Sequence, residues 1–121
     1  MKVKIYITFS ILTIIISCSS SQSTQMTNKK FKEKDNTAVF TTKFVLTDKK
    51  DITTVTHEKE DGAWQFFSND HFDNFEDVAK IVGLVEIVKL DCTILELADM
   101  PEGFAAHRKF KGDKWIIEKQ N

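Results

Sequence analysis

The rhythm of apolar positions changes several times along the chain. Residues 5–16, IYITFSILTIII, are almost wholly apolar. Residues 18–36, CSSSQSTQMTNKKFKEKDN, hold few large apolar side chains, Met26 and Phe31. From Thr37 the spacing becomes two. TAVFTTKFVLT is rich in β-branched and aromatic residues, and Phe40, Phe44 and Leu46 fall on one face of an extended chain. DITTVTH and AWQFFS are further strand-like runs flanking EKEDG, whose Asp-Gly pair signals a turn. They predict a hairpin with His57 roughly opposite Ala63. Trp64 and Phe66 share one of its faces, Gln65 and Phe67 the other. Both faces are then partly apolar, which predicts a strand covered on one side by helix.

The second half loses the period of two. NFEDVAKIVGLVEIVKLD opens with Asn74 as an N-cap and with Glu76 and Asp77 in the first turn, where carboxylates favour a helix start. Gly83 interrupts the run. The pattern predicts a helical turn over 75–80, an extended piece at Ile81–Val82 and a helix over 84–90. Asp91 then caps a short helix over 92–98. Pro101 and Gly103 end that region, and FAAHRKF and KWIIEK predict a closing hairpin around Lys111–Gly112–Asp113. The expected fold class is α+β: one small domain over 37–121, an antiparallel sheet with two or three short helices packed on it.

The first apolar run follows Lys2 and Lys4 and stops at Ser17 and Cys18. A positive start, a greasy middle and a small-residue end are the layout of a secretory signal. The run is too short to span a bilayer, which takes about 20 apolar residues. Its end, IISC, resembles the lipobox of bacterial lipoproteins. That resemblance implies cleavage before Cys18 and lipidation of its thiol and new N-terminus, palmitate included. Residues 1–17 are then a signal peptide. Residues 18–36 are expected to form a flexible tether, because so polar a stretch cannot offset its ordering entropy. Each buried CH₂ contributes about 0.8 kcal/mol, so a multiply acylated cysteine anchors stably in the membrane. Lys29, Lys30, Lys32 and Lys34 are placed to meet anionic head groups or simply to stay solvated. Ser19 brings no retention charge, which favours the outer membrane of a two-membrane cell.

Charge narrows the partner class. The chain carries 17 basic and 18 acidic residues, net -1. Loss of Lys2 and Lys4 would take it to -3, which is no nucleic-acid footprint. Seven acids and one lysine lie between Glu58 and Asp77, whereas five basic residues and two acids follow from Arg108 onward. An acidic face can steer a cationic protein. The hairpin end, with His57, Glu58, Glu60, Asp61 and Trp64, is the expected contact surface, although Trp64 reads more readily as core.

Catalytic and metal-binding patterns are weak. His57-Glu58 begins like His-Glu-x-x-His, but position 61 is Asp and the run is strand-like. His57 and His71 are expected about 20 Å apart along the hairpin strand. Asn69, Asp70, Asp73 and Asp77 are oxygen donors without EF-hand spacing, and read more simply as an acidic loop before a helix. Cys92 and His107 could pair as nucleophile and base, but no third orienting group is visible and a core cysteine is the simpler reading. The sequence therefore predicts no catalytic residue, no metal and no cofactor.

VTHEKEDGAWQFF, followed by KIVGLVEIVKLDCTILELADMPEGFAAHR and a late Trp115, resembles a group of small bacterial proteins akin to the immunity-protein-thirty-three type family. The resemblance covers about residues 38–116. It implies toxin neutralisation by binding and brings no catalytic residue with it. With a lipid anchor, the implied target acts in the envelope. The expected function is thus a lipid-anchored, monomeric protein-binding module, such as an immunity or inhibitor protein against an envelope-acting toxin or hydrolase. The alternative is a structural or accessory envelope lipoprotein without catalytic activity.

Overall fold

Thr42 decides where the first strand stops. In the computed structural model, which describes residues 27–121, β1 runs over Ala38–Thr42 and turns directly into the one-turn helix α1, Lys43–Leu46. The Thr42 hydroxyl accepts from the Val45 N–H at 3.4 Å, so a β-favouring residue serves as an N-cap. The single strand expected over 37–47 is thereby corrected. Val45 is buried, with Phe44 and Leu46 half-buried beside it. The apolar run 5–16 and Cys18 lie outside the described residues.

The next elements are β2 (Thr54–His57), β3 (Trp64–Phe67), α2 (Phe75–Val78), β4 (Ala79–Gly83) and α3 (Leu84–Leu90). A 3₁₀ helix over Cys92–Leu97, β5 (Phe104–His107) and β6 (Ile116–Lys119) complete the chain. The strands form one six-stranded sheet in the order β4-β1-β3-β2-β5-β6. Most pairs are antiparallel, but β1 and β3 run parallel, so the sheet is mixed. Short connections, residues 58–63 and 108–115, set the direction of β2 against β3 and of β5 against β6. No turn joins β1 to β3, so local signals carry no information about their direction.

The α+β expectation holds, including the turn–strand–helix succession over 75–90 and the closing hairpin. Two details differ. His57 faces Trp64 across the hairpin, while Ala63 lies one position further out and accepts the Glu58 N–H at 2.8 Å. Asn74 occupies the N-cap position of α2 without a side-chain cap bond. Asp91 does cap its helix, accepting from the Thr93 N–H at 2.9 Å.

The strand registers sort side chains onto two faces. Val39, Trp64, Phe66, Val55 and Ala106 point to the face covered by α3 and the 3₁₀ helix, where Leu84, Ile87, Ile94, Leu97 and Met100 complete the core. On the other face Phe67 meets Phe75 edge-on at 5.6 Å, and Phe72 and Phe40 join them, so the loop after β3 covers part of that side.

Residues 27–36 do not form the free leash that their composition suggests. Phe31 packs edge-on against Trp64 at 4.9 Å, and the Trp64 Nε1–H donates to Glu33 Oε2 at 3.1 Å. Lys29 Nζ donates to the Glu96 carbonyl at 3.0 Å and sits 3.1 Å from Asp99. The N–H groups of Leu84 and Val85 donate to the carbonyls of Thr37 and Asp35. That close pass explains Gly83, where an added Cβ would lie 3.3 Å from the Asp35 carbonyl oxygen. Residues 27–36 are thus docked on the domain, because one aromatic and one carboxylate suffice to pin a polar segment to a large indole. No helix among the described residues is long and apolar enough to cross a membrane.

Candidate functional site

The hairpin end expected to be a contact surface divides into an interior part and an exterior part. His57 and Trp64 belong to the interior, 5% and 1% exposed. Their rings stack at 3.9 Å, and His57 Nδ1 lies 2.7 Å from the Met100 carbonyl oxygen. Such a short contact requires that nitrogen to carry the proton and donate. Both residues are therefore corrected from contact residues to the buried base of the hairpin.

Glu58, Glu60 and Asp61 stand above that base. Glu60 and Asp61 are exposed and Glu58 is half-buried. The tip is ordered by its own bonds: Gly62 N–H donates to the Glu58 carbonyl at 3.0 Å, and Ala63 N–H to Asp61 Oδ1 at 3.0 Å. Gly62 has φ +72°, a left-handed conformation that favours glycine. A Cβ at Gly62 would meet Glu102 Oε2 at 2.9 Å. Glu102 comes from the turn before β5 and adds an acid to the tip, with Lys59 the one basic residue of the turn. Glu102 sits 40 residues from Gly62, so only the pairing of β5 with β2 reveals it.

The remaining acids of the 58–77 stretch do not extend this patch. They leave β3 at its opposite end, about 10 Å away at ~3.4 Å per residue. There Asp70 accepts from the Ser68 hydroxyl at 2.7 Å and lies 3.7 Å from Lys50, and His71 lies 3.2 Å from Asp73. The single acidic face expected from sequence is thus two separate groups. Among the described residues, no group of three or more His, Cys, Asp or Glu is placed to hold a metal ion.

The basic end of the chain changes character too. Arg108 is the one arginine of the described residues, and its side chain is 1% exposed. Its Nη2 donates to Asp91 Oδ2 at 2.8 Å, Nη1 to the Thr93 hydroxyl at 2.8 Å and Nε to the Ile52 carbonyl at 3.0 Å. The guanidinium also lies 4.0 Å over the Trp115 ring. Each nitrogen of the buried cation has a partner, so it holds elements together and is not offered to a ligand. Lys109, Lys111, Lys114 and Lys119 are exposed. The nucleophile pair also dissolves. Cys92 is not a free thiol, and His107 lies 3.7 Å from Glu118 on the edge hairpin. Cys18, the other cysteine of the sequence, lies outside the described residues.

Taken together, the site most open to a partner is the acidic tip, Glu58, Glu60, Asp61 and Glu102, standing on the His57–Trp64 stack. It can attract cations and hydrogen-bond donors. No family model, no curated protein and no solved structure matches the chain.

Proposed function

We propose that the protein is a lipid-anchored envelope module that binds another protein through its acidic hairpin tip. The partner is a cationic protein, such as an envelope-acting toxin or hydrolase that the module inhibits. The observation that carries this reading is the tip: exposed carboxylates held in a fixed turn above a buried, stacked ring pair. Clustered charge of one sign raises the encounter rate with an oppositely charged partner. A turn ordered before binding has little conformational entropy left to lose.

The test is crosslinking in the native host, followed by capture with the wild-type chain and with Glu60→Lys/Asp61→Lys. Loss of one basic partner with the double variant supports the reading. Unchanged capture removes the tip from consideration. The anchor is tested separately, because Cys18→Ala should move the protein out of the membrane fraction and abolish palmitate labelling. Intact mass of protein from its own cells reads the state of Cys18 directly. The lipid reading requires the acyl mass, and a full-length unmodified chain in the cytosol would refute it.

A further inference from the structure

The acidic tip has a basic counterpart on the opposite rim of the sheet. β5 starts beside the tip, where Phe104 faces His57, and ends at the loop to β6, about 10 Å further on at ~3.4 Å per residue. That loop, residues 108–115, holds Phe110 between Lys109 and Lys111, with Lys114 four positions on. The three lysines are exposed, and Phe110 is 54% exposed. The ring is no part of the hydrophobic core. Lys49 adds a further exposed cation, since it lines a groove with Lys111 and Asp51.

The loop is ordered by its own bonds. Asp113 accepts from the Lys109 N–H at 3.1 Å and from the Lys114 N–H at 2.9 Å, and its own N–H donates to the Phe110 carbonyl at 3.1 Å. Asp51 accepts from the Lys111 N–H at 3.0 Å. Both acids are thus committed to backbone donors, and Asp48 is the one carboxylate of the adjoining 48–51 segment left uncommitted. The ammonium groups of Lys109, Lys111 and Lys114 pair with no acid among the described residues. The acids after β3 share this rim but lie two strands away, about 10 Å, and Asp70 there is answered by Lys50 at 3.7 Å.

We propose that the 108–115 loop docks on an anionic bilayer, with Phe110 entering the head-group layer while Lys109, Lys111 and Lys114 meet lipid phosphates. An interfacial segment needs apolar area for the acyl boundary and positive charge for anionic lipid, and this loop presents both in a fixed shape. A bilayer is chosen over an acidic protein because of where the N-terminal segment meets the domain. Thr27 and Lys29 line a groove with Lys114, Trp115 and Ile117, so the path back toward residue 18 starts beside this loop. A chain moored at residue 18 favours that corner as the side turned to the membrane, and this step rests on the lipid-anchor reading. Docking in this way carries the acidic tip to the rim facing away from the bilayer.

The experiment uses the full chain purified from its own cells, with Phe110→Trp as a fluorescent reporter. It is added to phosphatidylcholine vesicles with or without a quarter of the lipid as phosphatidylglycerol. Bromine on the acyl chains quenches only indoles that enter the bilayer, and the signal of the unsubstituted chain is subtracted. The added tryptophan should be quenched on the anionic vesicles and far less on the neutral ones. Lys109→Ala, Lys111→Ala and Lys114→Ala together should lower the ratio of docked to free loop about a hundredfold, at about fivefold per lysine, and quenching should fall to its neutral-vesicle level. Salt at about 1 M, where screening acts within about 3 Å, should do the same. In the unsubstituted chain, trypsin cleavage after Lys109 and Lys111 should slow only on the anionic vesicles. Quenching that is absent, or equal on both vesicles, overturns the proposal. Intact mass keeps it separate from the anchor. An acylated, vesicle-bound chain without quenching refutes the loop contact and leaves the anchor standing. An unacylated chain quenched on anionic vesicles refutes the anchor and leaves the loop contact standing. Protection of the same lysines by a co-purifying acidic protein, without quenching, assigns the surface to that protein and overturns the lipid contact.

Discussion

Replacing Arg108 with methionine gives a demanding test of what holds the helical layer to the sheet. Arg108 follows β5 directly, and its guanidinium ties Asp91 at the end of α3, Thr93 in the 3₁₀ helix and the Ile52 carbonyl before β2. Methionine keeps most of the aliphatic stem against Trp115 but removes the charge. Asp91, with a side chain 5% exposed, would keep only its bonds to the Thr93 N–H and hydroxyl. Removing one partner of a buried ion pair costs about 3–5 kcal/mol, most of it from the charge left unpaired. A domain of this size shifts its melting temperature by about 4–8 °C per kcal/mol, so a drop of roughly 12–40 °C is expected. Asp91→Asn should cost a similar amount by stranding the guanidinium. The double variant Asp91→Asn/Arg108→Met strands neither charge, and its amide can still cap Thr93. It should lie only about 1–2 kcal/mol below wild type, which leaves a coupling of about 4 kcal/mol or more. Urea denaturation at low and high salt provides the assay. Salt should change little, because the pair is shielded from solvent. A cost under about 1 kcal/mol for Arg108→Met, or additive single effects, would refute the reasoning.

Other changes probe separate parts of the fold. Trp64→Phe removes the Nε1–H that meets Glu33 and narrows the surface stacked on His57, so urea denaturation should show a loss of about 1–3 kcal/mol. Phe31→Ala should cost a similar amount, and it should make the Lys32 and Lys34 peptide bonds markedly more sensitive to trypsin, since the ring is the main apolar contact of that segment. Gly62→Ala should destabilise by about 1–2 kcal/mol, read from the melting temperature, because φ +72° disfavours alanine and its methyl would press on Glu102. Glu102→Ala should relieve part of that second penalty when combined with Gly62→Ala, whereas full additivity would place Glu102 away from the tip.

Local chemistry was legible in the sequence and distant pairing was not. Asp91 announces its helix because its side chain bonds two residues along. Trp64 and Phe66 announce a core face because a strand alternates. Thr42 misleads, since threonine favours strands and also caps helices, and the choice depends on Val45 docking beneath it. Arg108 sits among lysines and reads as surface until Asp91, 17 residues earlier, is brought against it. Phe31 reads as a lone aromatic in a polar leash because its partner lies 33 residues ahead. Acids counted along one stretch looked like a face, but a strand carries its two ends to opposite rims of a sheet. Glu102 joins the tip for the same reason in reverse, delivered by β5 lying beside β2.

The clamp of Phe31 and Glu33 on Trp64 sets a limit on reach. With the chain held from Thr27 onward, nine peptide units separate that point from residue 18. Even drawn straight they span no more than about 30 Å. A globule moored at residue 18 would therefore patrol a thin layer next to its bilayer, meeting quarry that arrives there and unable to fish far across the envelope.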